Sequence, residues 1–279
     1  MNKIKDELEY IEVSNSKSSI KITLQGAHIF DFRVKGKKPL LFLSDTAHFK
    51  RDKAIRGGIP ICWPWFGAHP QDPQLPNHGF VRTSLWKHLD TQEINQDKTK
   101  ITFSLESSEQ TLALWPYAFE LRLEIIISDI LEISLITKNT GEKAFNYSQA
   151  LHTYLAINDI STVKLEGLKE KSYYNKLDDS HANIQKEELI FKEETDRIYQ
   201  DLEQGLTLHD KDQDIKIQTK GSKTVVVWNP GEGCANNLSD LHTYKTMLCI
   251  ESANVLKDEV FLQADESHTL SCIIKQVSH

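Results

Sequence analysis

The sequence predicts an all-β fold: a largely antiparallel sandwich with few short helices, in one domain over residues 1–279. Three observations carry this. The dominant hydrophobic period is two, since Ile20–Leu24, Leu121–Ile125, Leu131–Leu135 and Asp214–Gln218 each alternate apolar and polar side chains. Such runs are strands with one face packed and one face wet. Segments of this kind recur about fourteen times, separated by polar turns. Helical periodicity is nearly absent, and the best short helical candidate is Asn237–Tyr244, after a Gly-rich turn.

Taken in order, strands are expected near residues 8–13, 18–24, 27–34 and 40–43. Residues 54–86 then interrupt the pattern. It resumes at 101–106, 119–128, 131–138 and 145–155, with Asn139-Thr140-Gly141 predicted as a hairpin turn between the last two. Residues 169–187 are the most polar stretch and read as a flexible loop. Further strands follow at 188–192, 205–209, 214–218, 223–229, 246–253 and 268–276. Val225–Trp228 and Leu270–Ile274 are apolar enough to be buried on both faces or nearly so. No fixed-period repeat and no low-complexity linker divides the chain.

Composition bounds the function. Of 279 residues, 26% are charged and 39% hydrophobic, as in an ordinary globule with room for a sizeable core. A formal net charge of −7 disfavours nucleic acid and anionic membrane as main partners, while leaving room for a locally basic pocket. The N-terminal segment lacks the apolar core of a secretory signal, and no run approaches transmembrane length. Cys62, Cys234, Cys249 and Cys272 are scattered without a CxxC pair and read as free thiols of a cytoplasmic protein, expected to be a monomer.

The stretch Ala54–Trp86 holds five of the eight prolines, three of the five tryptophans and four of the twelve glycines. Pro60, Pro64, Pro70, Pro73 and Pro76 exclude a regular ladder or helix. The aromatic content argues for an ordered loop, and ordered loops of this length tend to be functional. It carries Arg56 beside Gly57 and Gly58, and His78 and Arg82 in HGFVR. Six Arg stand against 27 Lys in the chain, so the guanidiniums at 56 and 82 are a selected feature. Arg grips a phosphate or carboxylate with a planar fork, and glycines let backbone amides approach an anion. The plainer reading pairs each Arg with a local carboxylate such as Asp52 or Asp72.

Three further places could carry chemistry. His152 lies in Gln149-Ala-Leu-His-Thr-Tyr154, at the end of an alternating strand, where an isolated His is more often structural than catalytic. Glu251 follows the apolar run Met247–Ile250, and a buried carboxylate there must be paired, protonated or functional. Asp196 in Thr195–Tyr199 is either a ligand contact or a turn residue. Eleven His suggest a metal, and His78, His152 and Glu251 could meet in space. No HxH, HxxxH or HExxH spacing exists, and the expectation is no metal and no cofactor. Nucleotide-binding and serine-hydrolase motifs are absent from the sequence.

RGGIPICWPWFG, LPNHGFVR, QALHTYLAI, TDRIY, VVVWNPG and CIESANV, in this order over about residues 20–275, resemble the hexose-6-phosphate mutarotases, a branch of the aldose 1-epimerase family. The resemblance implies a galactose-mutarotase-like β-supersandwich and interconversion of the α and β anomers of a hexose 6-phosphate. By motif, Glu251 corresponds to the general base, His152 to the general acid, His78 to a second site histidine and Asp196 to a sugar-hydroxyl ligand. Arg56 and Arg82 correspond to phosphate-binding arginines, and Gln74 is a further candidate for sugar contact. The resemblance assigns nothing to Cys62 or Cys249. Anomer exchange opens the C1–O5 bond, needs one base and one acid, and moves no electrons. Tryptophans of the chain can stack on the sugar's C–H face. A non-catalytic sugar-phosphate binder on the same fold is the alternative; it would need the arginines but neither Glu251 nor His152. A glycoside hydrolase would want two flanking carboxylates, and only Glu251 has a strong claim.

Overall fold

The computed structural model describes residues 2–279. Among them a nine-stranded sheet runs in the order Leu189–Ile190, Lys164–Glu166, Leu206–Asp210, Gln213–Lys220, Ser267–Ser278, Ile130–Asn139, Phe119–Ile127, Lys98–Glu106 and Lys87–Asn95. An eight-stranded sheet runs Ser180–Ile184, Ser172–Asn175, Thr195–Tyr199, Thr224–Asn229, Met247–Asn254, Gln149–Leu151 and Ile61–Cys62, with Tyr154–Ala156 also paired to Met247–Asn254. A four-stranded N-terminal sheet uses Lys3–Lys5, Leu8–Ser14, Ser18–Thr23 and Ile29–Val34, and Phe145–Tyr147 pairs with Val260–Leu262. The strand pairings are antiparallel throughout. Among the described residues, helices are confined to Glu109–Leu114, Gly231–Ala235 and a 3-10 turn at Leu256–Asp258. The all-β expectation therefore holds.

Alternation decides which residues face where. Leu121, Leu123, Leu131, Ile133 and Leu270 of the nine-stranded sheet share a core with Leu151, Val225, Val227, Leu248 and Ile250 of the eight-stranded one. Full burial of each such side chain contributes about 1.5–3 kcal/mol, so this face sets the register. That register fixes the opposite face. Val226 pairs with Glu251, Trp228 with Cys249 and Asp196 with Trp228. Asp196, Trp228, Cys249 and Glu251 thus lie together on the face turned away from the main core, as period two requires.

Several expectations are corrected. Residues 40–43 form no strand; Leu41 and Leu43 make single bridges to Leu155 and Gly57. Residues 169–187 are no flexible loop but a hairpin, Ser172–Asn175 against Ser180–Ile184, at the edge of the eight-stranded sheet. Asn139-Thr140-Gly141 does not close a hairpin, because Ile130–Asn139 pairs with Phe119–Ile127 and Ser267–Ser278. The Asn139 amide instead donates to the carbonyls of Lys143 and Leu262 and turns the chain toward the Phe145–Leu262 ribbon. Asn237–Tyr244 is not helical. The N–H groups of Asn237, Leu238 and Leu241 each reach the carbonyl three residues back, giving successive tight turns.

The predicted strand 145–155 is interrupted twice. At Ser148 the backbone N–H donates to Pro64, and at His152 it donates to Pro60 at 3.0 Å. The Pro-rich loop thus takes the place of a ladder partner at His152, in the gap between Gln149–Leu151 and Tyr154–Ala156.

Candidate active site

Glu251 sits in Met247–Asn254, a strand buried at every position. Its carboxylate is 1% exposed, with Oε1 3.3 Å from Nε2 of His152, whose side chain is 11% exposed. Oε2 of Glu251 and Nδ1 of His152 are both buried without a hydrogen-bond partner among the described residues. Burial, reinforced by the charge of Asp196 and opposed by Lys176, holds the Glu251 carboxyl well above the usual carboxylate range. Burial, reinforced by His78, Arg82 and Arg56, holds the His152 imidazole well below its usual value. An isolated buried carboxylate costs several kcal/mol, so the shifts describe a pair that keeps one proton between its members. The His152 ring is stacked on Tyr154 at 4.8 Å and meets Trp228 edge-on at 6.1 Å.

His78 approaches from the Pro-rich loop, its ring centroid 5.8 Å from that of His152. The backbone at His78 is left-handed, with φ of 64°, and the next residue, Gly79, has φ of 71°. A Cβ on Gly79 would lie 1.8 Å from the carbonyl oxygen of Trp63, so only glycine permits this close approach. Nδ1 of His78 accepts the N–H of Gly67 at 3.2 Å. That bond fixes a neutral ring with its proton on Nε2. Burial and the positive field of Arg82, Lys176 and Arg56 push the ring down to about 3. His78 is therefore a hydrogen-bond donor and not a proton source at neutral pH.

Arg56 donates from Nε to Asp240 and from Nη1 to the Tyr154 hydroxyl, each at 3.1 Å. Its carboxylate partner comes from the turns at 237–241, not from Asp52 or Asp72. Arg82 donates from Nη2 to the Asn77 carbonyl at 2.6 Å and forms no ion pair among the described residues. Both guanidiniums lie close enough to His78 and His152 to disfavour imidazolium at each. Of the two neighbouring glycines, Gly58 donates its N–H to the Phe42 carbonyl at 2.7 Å, so that amide is not offered to an anion. Gly58 is glycine because a Cβ there would come within 2.2 Å of the Ile29 carbonyl oxygen.

Asp196 lies within the strand Thr195–Tyr199, which excludes the turn reading. Oδ2 takes the Lys176 ammonium at 2.8 Å, while Oδ1 is buried without a hydrogen-bond partner. Gln74 is exposed, its backbone N–H on Asp72 and no hydrogen bond linking it to the other candidates. The structure thus brings His78, His152, Asp196 and Glu251 around one site and leaves Gln74 outside that set.

Trp63, Trp65 and Trp86 are buried in the main core and present no free face to a sugar. The half-buried aromatics at the site are Trp228 and Phe66, the latter 4.8 Å from His78. Sequence reasoning passed over Trp228, Tyr154, Asp240 and Lys176. Period two would have placed Trp228, since it lies opposite Cys249 on the strand neighbouring Glu251. Cys62 and Cys249 are buried beneath the site, and burial pushes both thiols up, which makes them inert floor residues. All four cysteines are free. No helix among the described residues is long and apolar enough to cross a membrane.

Comparison with known proteins identifies the family. A family model described as aldose 1-epimerase matches residues 9–275. An Escherichia coli K12 protein described as "Putative glucose-6-phosphate 1-epimerase" is 33% identical over 273 residues, covering 96% of this chain and 90% of its own. A protein of the same description from Cenchrus ciliaris is 34% identical over 250 residues, covering 85% and 75%. The crystal structure of a "putative mutarotase (YeaD)" from Salmonella typhimurium superposes with a TM-score of 0.92 at 30% identity, covering 100% of this chain and 93% of its own. A galactose mutarotase-like protein from Lactobacillus casei shares the fold at a TM-score of 0.74 and 16% identity, covering 96% and 99%. The β-supersandwich expectation is met, and the chain belongs to the aldose 1-epimerase family as a sugar isomerase.

Proposed function

We propose that this protein interconverts the α and β anomers of a hexose 6-phosphate, as one domain over residues 1–279. The observation that carries the chemistry is the buried contact between Glu251 and His152, at 3.3 Å, with one unpartnered polar atom on each side. A binding protein needs no such pair, and burying it unused would only destabilise the fold. The names of relatives about a third identical over most of the chain support the phosphorylated substrate.

Glu251 takes the proton from the C1 hydroxyl while His152 protonates the ring oxygen. The C1–O5 bond opens, the aldehyde turns about C1–C2, and the two residues exchange roles on closure. One proton in the pair is the correct number for this: before opening it is on His152, and after opening it is on Glu251. Each positioned proton transfer typically contributes about 10²–10⁴-fold. His78, a fixed Nε2–H donor, and Asp196, with a free Oδ1, are suited to orient the sugar hydroxyls. Trp228 and Phe66 supply apolar faces for the ring.

Arg56 and Arg82 receive the phosphate. After burial, the field of Arg82 and Arg56 disfavours imidazolium at His152. A bound phosphate dianion offsets that field and moves the shared proton toward His152, where ring opening needs it. The reading implies neither metal nor redox cofactor, since proton transfer suffices. The same proposal makes the protein a cytoplasmic monomer whose partner is the small-molecule sugar phosphate.

The direct test is NMR exchange spectroscopy on glucose 6-phosphate and, separately, on glucose. Enzyme-dependent exchange of the phosphosugar, with a higher kcat/KM than for glucose, is the expected result. A preference for glucose would remove the phosphate assignment, and no catalysed exchange of either would remove the anomerase reading.

A further inference from the structure

In the polar hairpin 172–184, Lys176 opens the turn directly after the first strand, Ser172–Asn175, and has no assigned contact with the sugar in the chemistry above. Its backbone N–H donates to the Asp196 carbonyl at 2.9 Å, and its ammonium meets Asp196 Oδ2 at 2.8 Å. The same ammonium lies 5.6 Å from the centre of the Phe66 ring, which packs on His78 at 4.8 Å. Lys176 therefore bridges the edge of the eight-stranded sheet to the Pro-rich loop across the site. Its side chain is 32% exposed and that of Asp196 17%.

A surface ion pair of this kind contributes roughly 0–1 kcal/mol to stability, so stability alone is a weak reason for it. The contrast with Asp210 is informative. Asp210 is buried, and its Oδ2 accepts from the backbone and side chain of Asn158 and its Oδ1 from the N–H of Lys211. Every oxygen of that structural carboxylate has a protein donor. Asp196 has one oxygen held and the other, Oδ1, buried with no donor among the described residues. Away from the site, the Asp210 carboxylate is satisfied at both oxygens, whereas at the site Asp196 Oδ1, like Glu251 Oε2, is a buried acceptor left for something that arrives from outside.

We propose that Lys176 is a positioning residue for the sugar: it grips Asp196 by Oδ2 so that Oδ1 is presented, ionised, to a hydroxyl of the sugar ring. The proposal rests on the anomerase reading of the site and adds a residue that selects the hydroxyl-bearing ring, not the phosphate. A methionine at 176 keeps most of the stem but removes the charge. Burial would then favour the protonated Asp196, which donates where an acceptor is wanted.

The test uses Lys176→Met and Lys176→Arg in the full chain. Lys176→Met should raise KM about 10-fold for glucose 6-phosphate and for glucose alike, with kcat changed far less, since about 1.4 kcal/mol of uniform binding is tenfold. Lys176→Arg should restore most of it, and Lys176→Met combined with Asp196→Asn should be no worse than Asp196→Asn alone. A KM rise confined to the phosphosugar would make Lys176 a phosphate ligand and overturn the proposal, as would losses that multiply in the double variant. A second measurement is independent of turnover. Carboxyl ¹³C NMR should show Asp196 titrating at higher pH in Lys176→Met than in wild type, and an unmoved titration overturns the proposal even if the wild type exchanges no anomers.

Discussion

The Pro/Trp-rich loop 54–86 and the polar hairpin 172–184 flank the same site, yet they are written in opposite ways. The loop is conspicuous because rigid, bulky residues must fill irregular space. Most of those residues serve packing: Trp63, Trp65 and Trp86 are buried, and Trp63 meets Phe80, Trp115 and Phe119 within 6 Å. Only Arg56, Phe66, His78 and Arg82 turn toward the site. The hairpin is inconspicuous because both of its faces stay partly wet, and no position of Ser172–Asn175 or Ser180–Ile184 is fully buried. Without a dry face there is no alternation to read. Compositional oddity therefore reports packing demand, and a site can draw as much from a segment that has none.

The sharpest break of this comparison lies between the two regions. Glu251→Gln and His152→Ala should each lower kcat by 10²-fold or more, on the order expected for a lost proton-transfer group, with the fold retained by circular dichroism. Near wild-type exchange in either variant removes that residue from the mechanism.

Next come the loop's cations. Arg56→Ala and Arg82→Ala should lower kcat/KM for glucose 6-phosphate by about 10- to 100-fold, since charge-assisted bonds contribute roughly 1.5–3 kcal/mol. Glucose turnover should fall less in Arg82→Ala than in Arg56→Ala, because Arg56 also braces Tyr154 beneath His152. Equal losses on both sugars in both variants would make the arginines loop braces only.

Stability separates the regions further. Gly79→Ala places a Cβ against the Trp63 carbonyl and should destabilise the protein by on the order of 3 kcal/mol in a denaturant melt. Asp179→Gly, at the hairpin turn where φ is 56°, should change stability by no more than about 0.5 kcal/mol. Comparable losses would show that the hairpin is as tightly constrained as the loop.

The smallest effect concerns pH. The folded-state pKa of Glu251 is raised, so unfolding at neutral pH releases a proton and the residue destabilises the native state there. Glu251→Gln should therefore melt higher than wild type at pH 7. The gap should close as pH falls below about 4.5, where the unfolded carboxylate is itself protonated. A gap that stays constant with pH would contradict the raised pKa.

Much of the fold was legible because period two is imposed by the core: Phe119–Ile127 and Ile130–Asn139 match their predicted strands within a residue or two. Lys87–Asn95 was not legible, since it is an edge strand exposed at nearly every position. Residues 145–155 look continuous in sequence, and the break at His152 depends on a bond to Pro60, remote in the chain. The site's members were visible as residue types out of place, such as a carboxylate in an apolar strand. What could not be read was pairing across the chain: Arg56 with Asp240, and Lys176 with Asp196. A guanidinium's partner is set by tertiary approach, and no local pattern encodes it.

The buried pair of Glu251 and His152 has a consequence for the reaction as a cycle. In the proposed mechanism, the proton that leaves the C1 hydroxyl stays within the pair and the ring oxygen, and closure on the other face of the aldehyde returns both groups to their starting state. A complete turnover by that mechanism would borrow nothing from water. The rate at fixed pH should be indifferent to buffer concentration, unlike the spontaneous reaction in solution, which general acids and bases in the buffer accelerate. Saturation kinetics measured from dilute to concentrated buffer at constant ionic strength would superimpose, the signature of a catalyst that is its own proton reservoir.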